Sequence, residues 1–336
     1  MLFNLKYPLV KLSKNQIDNI KILNHDSRIK FEYVSCLNCA ADNHMRLFTS
    51  DRYGLNVNLV LCNNCGLMFM NPLITKNSAD FLYSSDLYRN ILHEEFVEKK
   101  TWGGGANDFK QLSTTEHAVS FNLINSLNIK YSSICDVGCG NSNNVSLFQS
   151  IGKDACGYEP SKYFSDLGQR NGLNIVNGFV DDIKGEYDLV LMIHVLEHLI
   201  NPIEVIKKLR NNIKKYLFIE VPVSVDKLQS FQYSHTYYFS INTLTQIITK
   251  CGFKRIYIKH TSRRVNDYIY VLFEKTDDNR IHEYNYTQEV KKYKKIYYKL
   301  YIKNLIKRII RLILKKINPN IEKKIVKIID LRTLGD

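Results

Sequence analysis

The stretch ICDVGCGNS places an acid just before two glycines that are separated by one residue. Gly138 and Gly140 would let a small ligand approach the bare backbone, and Asp136 would suit a positively charged end of that ligand. A dinucleotide site would need a third glycine to cradle a pyrophosphate, but the next four residues are Asn, Ser, Asn and Asn. A second acid, Glu159, follows in ACGYEP, where a carboxylate suits a ribose diol. The pattern predicts a nucleoside ligand that carries a cation.

The residues from 128 onward must form the elements that position these acids. Five short β-rich runs alternate with helical patterns, and this alternation predicts an α/β fold with a parallel sheet covered by helices. The runs are SSICDV, DACGYE, LNIVNG, YDLVLMIHV and KYLFIEVPV. A helix closed by Gly252 and two strands close in sequence follow, which predicts a mixed sheet with an antiparallel last strand.

Two cysteine pairs have the spacing of a zinc site. Cys36-x-x-Cys39 and Cys62-x-x-Cys65 match two knuckles that hold one tetrahedral zinc. Four thiolates close the coordination shell of the metal, so the spacing predicts a structural zinc without an open position for substrate. Reduced thiols also fit the cytoplasm, which the lack of an apolar run of ~20 residues or a signal peptide favours as the location.

Most of the net charge of +14 belongs to the C-terminal tail. Residues 289–336 contain fifteen Lys/Arg and four Asp/Glu, or +11, so the rest of the chain carries +3. Apolar residues at helical spacing predict one long basic helix that ends near Pro319. Such a helix can pack on the body or self-associate, lie on an anionic membrane surface at the inner face of the membrane, or bind nucleic acid.

Composition and motif order predict five segments. They are an N-terminal extension (1–30), a zinc-ribbon unit (31–75), a helical lid or linker with a glycine hinge at 102–108 (76–127), a ligand-binding α/β domain (128–275) and a basic helical tail (288–336).

Four motifs in order, DVGCGNS, GYEPS, VDDI and YDLVLMIHVLEHLINP, resemble those of class I S-adenosylmethionine-dependent methyltransferases over residues 112–275. The resemblance implies a Rossmann-like, seven-stranded mixed sheet with S-adenosylmethionine as cofactor. It places Asp136, Gly138 and Gly140 at the methionine part of the cofactor. It also implies that Glu159 holds the ribose hydroxyls.

The later motifs complete the implied cofactor site. By the same resemblance Asp182 and Ile183 meet the adenine, and His194 lies near the cofactor after the fourth strand. Ser142 stands where the family often has a glycine, so the turn after Gly140 departs from the family pattern.

The cysteine unit narrows the resemblance to one group of methyltransferases. CLNC, CNNCGLMFMNP, FLYSSDLYR and HTYYFSINTLTQIITKCGF resemble segments of sugar methyltransferases from deoxysugar and surface-polysaccharide pathways, over residues 31–275. This resemblance implies a nucleotide-linked sugar or a surface glycan as the acceptor, methylated on oxygen or carbon.

The histidine of YSHTYYFS is the predicted base. His235 lies in the segment that covers the substrate in the enzymes this chain resembles, and imidazole near its ordinary pKa accepts a proton at neutral pH. His194 and His198 are alternatives, and Tyr83 and Tyr88 would offer hydroxyls to the sugar from the lid.

Two other function classes stay open. An RNA methyltransferase would use the ribbon and the basic tail, but IHVLEH replaces the Asn/Asp-Pro-Pro-aromatic run of exocyclic-amine enzymes, and the body is nearly neutral. A non-catalytic scaffold would require damaged cofactor residues, whereas these are largely intact.

Overall fold

The computed structural model describes residues 10, 12–85, 87–88, 91, 118–223, 231–262, 267–278 and 286–317. The predicted glycine hinge and the predicted helix stop at Pro319 lie outside these residues.

The N-terminal part contains two small antiparallel sheets and two helices. Its elements are α1 (Lys14–Asn24), β1 (Phe31–Glu32), β2 (His44–Ser50), β3 (Asn56–Cys62), β4 (Met68–Met70), β5 (Leu73–Ile74) and α2 (Lys76–Ser84). Strands β2, β3 and β4 pair in order, and β1 pairs with β5. Helix α1 packs Ile20 and Leu23 against Tyr53 and Leu55, so this part of the N-terminal extension is bound to the sheet.

The second part is built around a seven-stranded sheet with a core cluster on each face. Its elements are α3 (Val119–Ser126), β6 (Ser133–Val137), α4 (Asn143–Ser150), β7 (Asp154–Glu159), α5 (Lys162–Arg170), β8 (Ile175–Asn177), β9 (Tyr187–Ile193), α6 (Pro202–Leu209), β10 (Ile213–Val223), β11 (Tyr237–Tyr238), α7 (Ile241–Thr249), β12 (Phe253–Ser262), β13 (Asp267–Lys275) and α8 (Thr287–Ile317).

The strand order of this sheet is β12-β13-β10-β9-β6-β7-β8. Strands β6 to β10 are parallel, and β13 runs antiparallel to β10 and β12. This arrangement confirms the predicted Rossmann-like α/β fold and its antiparallel last strand.

The central strands are buried on both faces, as their continuous apolar runs predict. Side chains alternate between the faces, so Val190 and Met192 join one core cluster while Leu189 and Leu191 join the other.

The two parts are joined by a strand that the second part contributes to the first sheet. Strand β11 pairs with β4, with Tyr237 opposite Phe69. The buried carboxylate of Asp51 accepts a hydrogen bond from the backbone N–H of Tyr233 at 3.0 Å. Residues 231–240, called the His235 segment, are therefore fixed to both parts.

Candidate cofactor and catalytic site

Four polar side chains meet at one edge of the large sheet. Asp136 lies in β6, Glu159 ends β7, His194 follows β9 and Glu220 lies near the end of β10. Because these strands are parallel neighbours, their carboxyl ends share an edge, which is where ligands bind in open α/β sheets.

The turn after β6 depends on two left-handed glycines. Gly138 has φ +65°, and a methyl group there would lie 2.8 Å from Cγ2 of Val195. Gly140 has φ +52°, but a methyl group there would find no atom within 4 Å. The first glycine is needed for packing, whereas the second faces open space that a ligand can occupy. Ser142 also has a left-handed φ of +63°, in the position where the resemblance implied a glycine.

Glu159 connects the second strand to this glycine turn. Its carboxylate accepts hydrogen bonds from the backbone N–H groups of Gly140 and Ser161, each at 2.8 Å. Burial raises the pKa of Glu159, and these hydrogen bonds oppose that rise. A carboxylate has about four acceptor positions, so two remain for the hydroxyls of a diol.

Asp136 is the most deeply buried acid of the glycine turn. It is 2% exposed, and its Oδ2 atom has no hydrogen-bond partner in the structure. Burial raises the pKa of this carboxyl to about 7, a hydrogen bond from Asn144 opposes the rise, and the nearby charge of Glu159 adds to it. A buried acceptor without a partner suits a ligand that brings a cationic donor.

The predicted adenine residues follow β8: Asp182 ends the 3₁₀ turn Val180–Asp182, and Ile183 comes directly after that turn. The N–H of Gly178 donates to the carbonyl of Glu159 at 3.2 Å, which holds this loop against the ribose acid. Asp182 is exposed and its Oδ2 accepts from the N–H of Phe179 at 2.8 Å, while Ile183 is buried. Phe179, which no sequence motif indicated, lies in the same loop and is 62% exposed.

His194 lies between two carboxylates. Its Nδ1 is 3.3 Å from Oε1 of Glu197, and its Nε2 is 3.3 Å from Oε1 of Glu220. Burial disfavours a charged ring, but the two carboxylates outweigh burial and raise the pKa of His194 to about 10. The ring is therefore an imidazolium at neutral pH and acts as a donor. This disagrees with its sequence-based role as an alternative base, because a protonated imidazole accepts no proton.

Glu220 is a site residue that the sequence analysis missed. The carboxylate accepts a hydrogen bond from the hydroxyl of Ser120, and its backbone carbonyl accepts from the N–H of His194 at 3.0 Å. The only sequence signal was an acid inside the apolar run IEVPV.

His235 lies in a cluster with His198 and Glu197, and this cluster is next to His194. The rings of His235 and His198 are 4.8 Å apart, and Nδ1 of His198 lies 3.0 Å from the carbonyl of Ser234. Burial lowers the pKa of His235 to about 3, and its Nδ1 has no partner in the structure. Glu197 is 1% exposed, and although burial opposes its ionisation, His194 and the other histidines lower its pKa to about 2. An ionised carboxylate thus lies beside a neutral imidazole.

The same cluster has the composition of a metal site. Glu197, His198 and His235 each offer one ligand atom, and these atoms lie within 4.8 Å of one another. Among the described residues, this is one of two such groups.

Tyr88 lies in the core cluster of the N-terminal part together with Tyr233, apart from the four polar side chains at the edge of the large sheet. It is 2% exposed, and its ring is 6.1 Å from that of Tyr233. The side chain of Tyr83 lies outside the described residues.

The four predicted metal ligands converge as the other group. The Sγ atoms of Cys36 and Cys65 are 3.5 Å apart, as are those of Cys39 and Cys62, and all four lie within 4.8 Å of one another. Sulfur atoms bound at ~2.3 Å to one tetrahedral zinc would be ~3.8 Å apart, so the spacing fits that ion.

The two cysteine knuckles have the same backbone pattern. The N–H of Cys36 donates to the carbonyl of Ala41, and that of Cys62 donates to Leu67. The residue after each pair has a positive φ, 57° at Ala40 and 76° at Gly66. Gly66 suits this conformation, whereas Ala40 is strained in it.

Comparisons with known proteins agree with this geometry. Residues 109–258 match the family model described as a methyltransferase domain. A search of curated proteins finds no match.

A search of solved structures finds methyltransferases among its matches. One is magnesium protoporphyrin IX methyltransferase from Synechocystis PCC 6803 with bound S-adenosylmethionine, at 17% identity over 59% of this chain and 95% of that chain (TM-score 0.43). Another is 1,6-didemethyltoxoflavin-N1-methyltransferase from Burkholderia thailandensis, at 15% identity over 63% of this chain and 96% of that chain (TM-score 0.45). The family model and the strand order agree: residues 109–258 match a methyltransferase-domain model, and the sheet has the order of a Rossmann-like α/β fold.

Proposed function

We propose that this protein transfers a methyl group from S-adenosylmethionine to a sugar, either nucleotide-linked or part of a surface glycan, on oxygen or carbon. The observation that carries the proposal is the position of the His235 segment. Strand β11 joins that segment to the cysteine-bearing sheet, while His235 itself lies against His198 beside the cofactor edge. The sequences of the His235 segment and of the cysteine-bearing unit both resemble those of sugar methyltransferases.

The cofactor is proposed to lie across the carboxyl ends of β6 and β7. Asp136 would accept the ammonium group of the methionine part, and Glu159 would accept the ribose hydroxyls. The open space beside Gly140 would admit the backbone of the ligand. Asp182 and Ile183 would meet the adenine.

Methyl transfer is an in-line displacement. S-adenosylmethionine held here would supply an activated methyl group to an oxygen or carbon of the acceptor, with the sulfide as the leaving group. The protein must align the two reactants and remove one proton from the acceptor.

We propose His235 as the base that takes this proton. Burial keeps the ring neutral at pH 7 but lowers its pKa to about 3, below the ordinary value that the sequence analysis assumed. Proton transfer to His235 therefore depends on the nearby Glu197 carboxylate, which would stabilise the imidazolium as it forms. His194, whose two ring nitrogens face Glu197 and Glu220, would hold these carboxylates in place beside the acceptor.

The cysteine cluster is proposed to hold a structural zinc. Its four thiolates would close the tetrahedral shell and leave no position for substrate. The metal would support the sheet that carries β11, and hence the His235 segment. One equivalent of zinc should copurify and be lost in Cys62→Ser, together with cooperative unfolding of this sheet. Native protein purified without zinc would contradict the zinc proposal.

An acceptor panel tests the substrate class. The full chain is incubated with methyl-labelled S-adenosylmethionine and either sugar nucleotides and surface glycans or bulk tRNA and rRNA. We expect label in the sugar fraction only. Label in RNA would establish the RNA methyltransferase alternative, whereas cofactor binding without transfer to any acceptor would favour the scaffold.

The base is tested with an acceptor that the panel identifies. His235→Ala should lower kcat by ~10²–10⁴-fold, because general base catalysis contributes that much, while S-adenosylmethionine affinity stays near wild type. His260→Ala, at an exposed position of β12, is the matched control and should retain full turnover. Full turnover by His235→Ala would exclude this residue as the base.

A further inference from the structure

The first turns of helix α8 pack on the ribbon side of the protein. Val290, Tyr293 and Tyr297 are buried, and the two tyrosines join a cluster with Phe48 and Met68. This contact fixes which side of the helix faces the body.

Beyond Tyr297, Tyr301 is partly buried against the same cluster, and the other described apolar side chains of the helix are exposed. Their exposed fractions range from 36% to 55%, for Tyr298, Ile302, Leu305, Ile306, Ile309, Ile310 and Ile313. We call this set of residues the isoleucine stripe. Exposed apolar stripes of this length on one helix indicate a binding surface.

The isoleucine stripe faces away from the body. At about 100° per residue, its members fall within an arc of about 140°. The centre of that arc lies about 160° around the helix from the side formed by Val290, Tyr293 and Tyr297. Straight continuation of the helix therefore does not bury the stripe against the described part of the protein.

Charge decides between the partners. Residues 290–317 contain eleven Lys/Arg and no Asp/Glu. A second copy of this helix would bring like charges together without acidic residues to pair them, and a nucleic acid would leave the isoleucines in water. An anionic lipid surface accepts both, since acyl chains bury the apolar side and headgroups attract the lysines. Among the described helices, none is long and apolar enough to cross a membrane.

We propose that α8 from Tyr298 onward lies in the interface of an anionic membrane, with the isoleucine stripe buried below the headgroups. The packed turns up to Tyr297 then hold the rest of the protein at that surface. This inference is independent of the acceptor, because it uses none of the residues assigned to cofactor or catalysis.

Cosedimentation with vesicles tests the proposal on the full chain. The probes are vesicles of phosphatidylcholine alone and of phosphatidylcholine with one-third phosphatidylglycerol. The variant Ile306→Ser/Ile309→Ser/Ile313→Ser removes apolar area from the stripe without changing charge. The matched control, Ile22→Ser/Ile151→Ser/Ile256→Ser, removes isoleucines of similar exposure (52%, 48% and 41%) from the body.

Wild type and control should bind the anionic vesicles, and the stripe variant should bind on the order of 100-fold more weakly, since three half-exposed isoleucines lose their burial. Binding should also weaken several-fold when salt screens the lysines.

Three results would overturn the proposal. Wild-type protein that does not sediment with anionic vesicles at low salt would do so, as would a stripe variant that binds as wild type does. A lipid-free dimer in sedimentation velocity that the stripe variant dissociates would assign the stripe to a second copy instead.

Discussion

Replacing Asp136 by Asn should remove most of the pH dependence of S-adenosylmethionine binding. Burial raises the pKa of this carboxyl to about 7, above the usual value of an aspartate. In the free protein this raised pKa lowers stability, and the loss accumulates as the pH rises from the unfolded pKa of about 4 to the folded pKa of about 7. An ammonium group at the unpartnered Oδ2 would pair with the ionised form, so binding and ionisation should be linked.

The size of the effect follows from the ionised fraction. With a pKa of about 7, that fraction rises from roughly 3% at pH 5.5 to one half at pH 7, which is about a fifteen-fold gain in affinity, or ~1.6 kcal/mol. Above about pH 8 the gain should reverse, because the amino group of the cofactor itself loses its proton.

The assay is isothermal titration calorimetry from pH 5.5 to 7.5 on wild type, Asp136→Asn and Asp154→Asn. Asp154 is exposed at the start of β7, at the opposite end of the strand from Glu159, and serves as the matched control. The control should reproduce the wild-type slope, whereas Asp136→Asn should bind weakly with little slope. The same variant should be more stable than wild type at pH 8, because it has no buried carboxyl to ionise. An unchanged slope in Asp136→Asn would refute the reasoning.

Three further outcomes follow from single contacts. Gly138→Ala should destabilise the fold by about 1–3 kcal/mol in denaturant titration because of backbone strain and the close approach to Val195, whereas Gly140→Ala should lose cofactor affinity with a smaller loss of stability. Ala40→Gly should raise stability by roughly 0.5–1 kcal/mol by relieving a left-handed alanine; a decrease would contradict the strain. Carbon-13 NMR of the histidine rings should give His194 a pKa well above 7 that falls when a Glu220→Gln substitution removes one carboxylate; titration near 6.5 would contradict the carboxylate pair.

Much of the large sheet could be predicted from the sequence because its signals are local. Buried parallel strands appear as continuous apolar runs, so β6 to β10 could be placed from composition alone. The acid and the two glycines of DVGCGNS lie within one turn, so their ligand-binding pattern is also a local signal. The cysteine pairs were sufficient to predict that four thiolates would meet.

The rest of the site depends on contacts between distant residues. His194 is a cation because Glu220 reaches it from the neighbouring strand, with Glu220 opposite Ile193 in the β9–β10 register. The burial of His235 depends on Tyr237 pairing with Phe69 in another sheet. No local pattern indicates either contact, so the charge of one histidine and the neutrality of the other could not be predicted.

Calorimetric titration of the full chain with S-adenosylhomocysteine, beside the Glu159→Ala variant, tests the central claim most directly. Wild type should bind one equivalent, and Glu159→Ala should bind at least ten-fold more weakly while remaining folded, because it lacks the acceptor for the ribose diol. Absence of binding by folded wild-type protein would contradict the assignment of this edge as a methyltransferase cofactor site, and equal affinity in the variant would remove Glu159 from it.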